Sequence, residues 1–192
     1  MSTLAVNKNQ EIKFNPQLFG LWLGMASIIM LFGALTSAYI VKQGASNWLN
    51  IQVPSIFYVS TAVILLSSLS LHIARNNFRK ANVSQYRKFL YITFILALSF
   101  LVVQYNGWAQ LFSNGVDLKS NVAGSFFYLI TGAHAAHILG GIGALIATII
   151  NAHILSQNNN ESRKIRVEML LHYWHFLGIL WVYLLGFILY IK

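Results

Sequence analysis

Cysteine is absent from this sequence of 192 residues, and carboxylate side chains are scarce. The absence of cysteine excludes disulfides, thiolate metal sites, iron–sulfur clusters and a cysteine nucleophile. Proline occurs only at the starts of apolar runs, at Pro16 and Pro54, so no span is broken by proline. The sequence also shows no internal repeat, and both features argue against a small transporter. Scarce acids also argue against a carboxylate-bridged di-iron centre, a carboxylate proton relay and an acid-rich cation transporter. The acidic residues are Glu11, Asp117, Glu161 and Glu168.

Apolar residues occupy 57% of the positions, and charged residues only 9%. The mean hydropathy of +0.61 lies outside the usual range of soluble domains, so we expect an integral membrane protein. The N-terminal segment is too polar for a cleaved secretory signal, and we expect it to be retained. The net charge of +9 is interpreted as membrane topology rather than nucleic-acid binding, because the basic residues lie beside apolar runs.

Five apolar runs are long enough to cross a membrane, since about 20 helical residues span roughly 30 Å of hydrocarbon. We therefore predict an all-α fold, in which residues 1–192 form a single domain of five transmembrane helices. The predicted spans lie near Phe19–Val41, Pro54–Ala74, Phe89–Phe112, Val122–Ile154 and Met169–Ile191.

Lysine and arginine are distributed unevenly between the two sides of these spans. Ten of the 13 lie in the N-terminal tail and in the second and fourth connections. Because cytoplasmic segments carry the excess of positive charge, we predict a cytoplasmic N-terminus and a C-terminus outside. Arg163, Lys164 and Arg166 of the fourth connection are candidate ligands for lipid headgroups, with the charge bias alone as the alternative explanation.

Two pairs of histidines lie within apolar runs, His134 with His137 and His172 with His175. Each pair lies on one helical face, at a spacing that also suits haem, copper or zinc. The pairs are more than about 10 Å apart in depth, and the first three spans offer only His72 as a further ligand. We therefore predict hydrogen-bonded packing or interface residues. An autonomous membrane cytochrome, with His134 or His137 as axial ligand, is the alternative from a different class.

Aromatic and small residues also need an explanation at membrane depth. For Trp174, near a helix start, the interfacial aromatic belt and helix packing are equal alternatives. Trp181 lies deeper and needs an indole acceptor or a place in a helix interface. The third span ends in a polar cluster that we assign to the outer membrane interface, made of Gln104, Asn106, Trp108 and Gln110. Small residues in the first and fourth spans predict close helix contacts, among them Gly33, Gly132, Gly141 and Gly143.

Three segments of the chain resemble subunit three of the haem–copper respiratory oxidases, in its short five-helix bacterial form. The segment GSFFYLITGAHAAHILGG is similar to the family's fourth-span motif through Thr131, Gly132, His134 and His137. The segment EMLLHYWHFLGILW is similar to the final-helix signature through Glu168, Tyr173, Trp174, His175, Phe176 and Trp181. The first span matches through Trp22, Ser27, Phe32 and Tyr39. The resemblance covers nearly the whole chain.

The resemblance implies an accessory, non-redox subunit in the bacterial plasma membrane. It would pack beside a large catalytic subunit whose haems and copper reduce oxygen to water while protons are pumped. This chain is expected to carry no metal and no catalytic residue, to stabilise that partner and to hold phospholipid. Support of proton uptake is a role that the resemblance implies for the family. The expected interface or structural residues are His134, His137, Glu168, His172, Trp174, His175 and Trp181.

Three positions that are often acidic in this family are occupied here by Ile28, Gly107 and Gly178. We therefore transfer no proton-carrying residue to this chain. Glu168 does match the family, and at a helix N-terminus it is expected to cap the helix or pair with a base. Cytochrome c is the expected electron donor. The alternatives are a quinol oxidase and an accessory chain of a nitric oxide reductase.

Overall fold

The computed structural model describes residues 15–44, 48, 51–116, 121–154 and 161–191. Glu11 and Asp117 lie outside these ranges. Within them the chain forms five helices that are long and apolar enough to cross a membrane, as predicted. The helices are α1 (Pro16–Gln43), α2 (Ile56–Arg79), α3 (Val83–Ser113), α4 (Val122–Ile154) and α5 (Glu161–Tyr190).

Helix α4 has the predicted bounds, whereas three other helices continue beyond the predicted spans at one end of the bundle. Helix α2 ends at Arg79, α3 begins at Val83 and α5 begins at Glu161. The added turns are polar and basic, and a search for apolar runs omits them although the helices continue into the polar headgroup zone. We call this the basic end of the bundle, and it carries Arg75, Arg79, Lys80, Arg87, Lys88, Arg163, Lys164 and Arg166.

Asparagine side chains cap the first turns of α1 and α3. The Asn15 side chain accepts a hydrogen bond from the Gln17 amide (3.1 Å), and Pro16 occupies the first helical position. At α3, the Asn82 side chain accepts from the Gln85 amide (3.3 Å). Each cap satisfies a backbone donor that has no partner within its helix.

Helix α1 is peripheral to a core made by the other four helices. Among the described helices it contacts only α4 and α5. The Tyr39 ring lies edge-on to Phe126 of α4 (6.1 Å between centroids) and to Phe187 of α5 (5.5 Å). The large side chains buried in the core of α2 to α5 include Phe57, Phe100, Phe127, Trp174 and Trp181.

Two side-chain contacts fix the antiparallel register of α3 and α4. At the basic end, Arg87 Nε donates to the main-chain oxygen of Ala152 (3.0 Å). Towards the opposite end, Trp108 Nε1 donates to Thr131 Oγ1 (3.0 Å). The two contacts are separated by the same number of residues on α3 and on α4. Between them, residues of α3 therefore lie opposite residues of α4 at the same depth.

Two glycines permit close approach between helices. A methyl group at Gly107 of α3 would lie 2.7 Å from the Phe57 ring of α2, and one at Gly141 of α4 would lie 2.9 Å from the Trp174 ring of α5. Both rings are fully buried, so neither can turn aside into open space. The predicted small-residue contact is confirmed at Gly141. No described atom of the chain lies within 4 Å of a methyl group at three other predicted positions, Gly33, Gly132 and Gly143.

Replacing Gly107 by alanine should destabilise the bundle, because the added methyl displaces the packed Phe57 ring. We expect a loss of about 1–3 kcal/mol in the free energy of unfolding. Gly178→Ala is the matched control, because Gly178 is also buried but has no described atom within 4 Å of an added methyl. Higher helix propensity should leave this control unchanged or stabilised by up to about 1 kcal/mol. Thermal unfolding in detergent checks both variants, and equal midpoints would contradict the prediction.

Candidate functional site

Two tryptophans of α5 donate hydrogen bonds to hydroxyl groups of α2. Trp174 Nε1 donates to Ser67 Oγ (3.1 Å), and Trp181 Nε1 donates to Thr61 Oγ1 (3.0 Å). The two indole side chains are fully buried. A buried indole N–H in a membrane needs an acceptor within the protein, and these α2 hydroxyls provide it. Trp174 is therefore a packing residue rather than a member of the aromatic belt.

An ion cluster continues this contact towards the basic end. Glu168 Oε1 accepts from Arg75 Nε (2.8 Å) and Nη2 (2.8 Å), and also from Arg79 Nη2 (2.7 Å). The Glu168 side chain is 23% exposed, Arg75 is 18% exposed and Arg79 is 59% exposed. Two arginines from successive turns of α2 thus share one carboxylate oxygen of α5. We call the contacts from Glu168 to Trp181 the α2–α5 seam.

The position of Glu168 corrects one expectation from the sequence. Helix α5 begins at Glu161, so Glu168 lies about two turns inside it and does not cap its N-terminus. Its carboxylate is stabilised by the arginines of α2 instead of by the unpaired amides of the first turn. The expected pairing with a base is present, but the bases lie on another helix.

The two histidines of α5 have different neighbours. His175 Nδ1 forms a hydrogen bond with Ser68 Oγ, and its ring lies 5.8 Å from that of His72. His172 is exposed, and its Nδ1 donates to the main-chain oxygen of Glu168 (2.7 Å). Both residues therefore have the hydrogen bonds that the sequence predicts for them.

The histidines of α4 have different surroundings from each other. His137 is half-buried and donates from Nδ1 to the main-chain oxygen of Ala133 (2.7 Å). His134 is fully buried and stacks on Trp181, with ring centroids 5.1 Å apart and an angle of 29° between the planes. Its ring nitrogens have no hydrogen-bond partner among the described residues. No described residue makes the expected hydrogen bond of His134, and its packing is aromatic.

The two histidine pairs do not converge on a metal-ligand arrangement. His134 stacks on Trp181, which lies about 9 Å along α5 from His175. In the described parts of the chain, no three histidine, cysteine, aspartate or glutamate side chains form a group that suits a metal ion.

The polar residues late in α3 are divided between the surface and the core. Asn106 and Gln110 are exposed, in agreement with an interfacial position. Trp108 is half-buried and donates to Thr131. Gln104 is only 1% exposed, so its assignment to the outer interface is wrong. Its place on the α4-facing side of α3 accounts for its burial.

A groove of about 830 Å³ opens at the basic end between α1, α4 and α5. Its polar rim includes Arg163 and Arg166, and its apolar walls include Leu21, Ala147 and Leu170. Arg163 Nη2 donates to the main-chain oxygen of Asn151 (3.1 Å), where it satisfies a carbonyl in the last turn of α4. This hydrogen bond holds Arg163 against α4, one of the helices that line the groove.

The other two predicted headgroup ligands are not equivalent. Arg166 is exposed on the rim of the groove and has no hydrogen bond to a described residue. Lys164 lies outside the groove, against a smaller cavity of about 340 Å³, and its Nζ is 2.8 Å from Glu161 Oε1. Only Arg166 therefore presents an uncommitted cation to the groove.

Several partners in the seam were missed at the sequence level because they lie on α2. Their signal was available as hydroxyl side chains within an apolar span, followed by arginines at its end. Such hydroxyls are common at helix contacts in membranes, where they provide interhelical hydrogen bonds. The missed residues are Thr61, Ser67, Ser68, Arg75 and Arg79.

Glu168→Gln should weaken the α2–α5 seam, because it leaves the partly buried Arg75 without a counter-charge. We expect a loss of about 1–3 kcal/mol in the free energy of unfolding. Glu161→Gln is the control, since the Glu161–Lys164 pair is exposed and such pairs contribute about 0–1 kcal/mol. Denaturant unfolding followed by tryptophan fluorescence distinguishes the two. The prediction fails if both substitutions cost the same.

Comparison with known proteins extends over almost the whole chain. The sequence profile of the family described as "Cytochrome c oxidase subunit III" matches residues 18–192. A protein named cytochrome bo(3) ubiquinol oxidase subunit 3, from Buchnera aphidicola subsp. Schizaphis graminum, is 28% identical over 93% of this chain and 96% of its own length. A probable cytochrome c oxidase subunit 3 from Nocardia farcinica is 27% identical over 90% of this chain and 85% of its own.

A third relative is a probable quinol oxidase subunit 3 from Staphylococcus haemolyticus, 25% identical over 86% of this chain and 84% of its own. The family match includes all five helices apart from the first two residues of α1. It therefore contains the whole α2–α5 seam and the groove at the basic end. The chain belongs to the cytochrome c oxidase subunit III family.

Proposed function

We propose that this chain is the accessory, non-redox third subunit of a bacterial haem–copper terminal oxidase, stabilising the catalytic subunit and retaining phospholipid. Membership of the family and five apolar helices make it a multi-pass plasma-membrane protein of an oxidase complex. The observation that carries the accessory role is the internal use of the family-motif side chains. Glu168, Trp174 and Trp181 all bind α2 of the same chain. They make a rigid scaffold against which a partner can pack.

The proposed partner is the large subunit that holds the haems and copper and reduces oxygen with proton translocation. Cytochrome c is the proposed electron donor, in line with the description of the matching family. Quinol is the second candidate, because two of the relatives are named as subunits of quinol oxidases. Turnover of the purified complex with each donor distinguishes them.

Among the predicted interface or structural residues, burial supports a division of roles. His134, Trp174 and Trp181 are fully buried within the chain, so we assign them structural roles. His172 is exposed and available to a neighbouring subunit, and we assign it to the interface. The half-buried His137 and His175 have hydrogen bonds within the chain and are assigned to packing.

We place the basic end of the bundle, together with the N-terminus, in the cytoplasm, and the C-terminus outside. The excess of arginine and lysine at this end supports the orientation. We assign this chain no residue for proton transfer. Gly107 is one of the positions that are often acidic in the family. There the Phe57 ring occupies the space that a side chain would need.

Purification through a tag on this chain, in gentle detergent, tests the proposed function. We expect a large haem-containing subunit to co-purify and to give the reduced-minus-oxidised spectrum of a terminal oxidase. Stripping this chain away with harsher detergent should leave the haem on the large subunit and shorten the lifetime of its activity. Pigment that stays with the isolated 21.6 kDa chain would contradict the proposal and make a histidine its ligand.

The groove at the basic end is the proposed phospholipid site. Its rim presents Arg166 to an anionic headgroup, while Arg163 is held in place by the Asn151 carbonyl. Acyl chains would lie along the apolar walls, beside Leu21 and Leu170. Polar groups at the membrane surface and an apolar wall towards its interior fit the two parts of a phospholipid.

Arg166→Gln should reduce the amount of anionic phospholipid that co-purifies with the complex. Loss of about 1 kcal/mol of attraction corresponds to about fivefold weaker retention. Lys164→Gln removes the same charge two positions away but outside the groove, and should retain lipid like the unmodified chain. Native mass spectrometry of the complex in phosphatidylglycerol checks both. Equal lipid loss from both variants would show that overall charge, not the groove, retains the lipid.

A further inference from the structure

Two polar side chains in the bundle core have no hydrogen-bond partner among the described residues. Gln104 of α3 is 1% exposed, and His134 of α4 is 0% exposed. Neither the amide oxygen and nitrogen of Gln104 nor either ring nitrogen of His134 has a partner among the described residues. Neither side chain makes a hydrogen bond of the α2–α5 seam or lines the groove, and the structural role proposed for His134 does not use its ring nitrogens.

Gln104 and His134 lie at the same depth between α3 and α4. Trp108, one turn after Gln104, donates to Thr131, which precedes His134 by three residues. One turn before Gln104, the Phe100 ring lies 6.0 Å from the His134 ring. His134 is thus opposite the stretch of α3 between Phe100 and Trp108, which is where Gln104 lies.

The surroundings of this pair leave few other partners. His134 is enclosed by the rings of Phe32 (6.4 Å), Phe100 (6.0 Å) and Trp181 (5.1 Å), measured between centroids. The Trp181 N–H is already used on Thr61. Unsatisfied polar atoms destabilise a bundle in a setting without water, so both side chains need a small polar ligand.

We infer that Gln104 and His134 together bind an ordered water molecule between α3 and α4. A neutral imidazole offers one donor and one acceptor, and an amide offers two N–H donors and a carbonyl acceptor. One water can donate to the imidazole nitrogen and to the amide oxygen while it accepts from a donor of either group. A buried water typically makes about three hydrogen bonds, which matches this set.

Other ligands fit these residues less well. The pair carries no fixed charge to balance an ion, and the described residues provide no group of three ionisable metal ligands. A side chain from another subunit cannot reach the pair, because both residues are enclosed by their own chain. Water is the ligand whose size and hydrogen-bonding capacity agree with the enclosed position.

A cryo-electron microscopy map of the complete oxidase complex, at a resolution that reveals buried waters, tests the inference directly. We expect a peak about 2.7–3.2 Å from a polar atom of Gln104 and from a ring nitrogen of His134. A map without that peak overturns the inference. So does a direct hydrogen bond between the two side chains with no peak between them.

Paired substitutions provide a second test in the same complex. Gln104→Leu and His134→Phe should each lower the thermal midpoint, because each leaves the other polar group or the water incompletely bonded. The double variant removes both groups and should recover most of that loss. Losses that simply add in the double variant overturn the inference.

Gln104→Leu combined with His137→Phe is the matched control. His137 is on the same helix as His134, but its Nδ1 already donates to Ala133. The losses from this pair should add, because the two residues share no ligand. Recovery in the control comparable to that of the test pair would assign the recovery to general repacking and overturn the inference.

Discussion

An indole N–H that is buried in a membrane bundle must find its acceptor within the protein. The position of α5 depends on two such indole groups. Trp174 and Trp181 reach hydroxyl oxygens of α2, which sets both the depth and the rotation of α5. That register brings Glu168 beside Arg75. The same Trp174 ring is admitted against α4 because residue 141 is glycine. One hydrogen-bonding requirement thus links the ion cluster, the tryptophans and a helix contact.

Much of this architecture follows from the sequence, because membrane thickness restricts the length and secondary structure of a segment that spans it. Five apolar runs predicted five helices, and the bounds of α4 were predicted correctly because apolar residues extend to both of its ends. The depth of Trp181 predicted a need for an indole partner. Its identity, Thr61, depends on the rotation of α2 about its axis, and no local pattern determines that rotation.

The wrong predictions concern residues whose environment depends on neighbouring helices. Gln104 was assigned to the membrane interface because polar residues surround it in sequence, but its side chain is buried within the bundle. Glu168 was expected at a helix start, because the apolar run begins after it while the helix begins at Glu161. For Gly107 the sequence indicated only a position that is often acidic in the family, and the close packing that this glycine permits depends on the Phe57 ring of another helix.

Helix α1 contacts only α4 and α5 among the described helices, and both of these are made after α2 and α3. Among the described helices, α1 therefore has no partner within its own chain until α4 follows it. Until then it must remain in lipid or against the insertion machinery, while α2 and α3 can already pair as neighbours. Helix α1 is thus made before α2 and α3, but it can pack against the bundle only after α4 has been made.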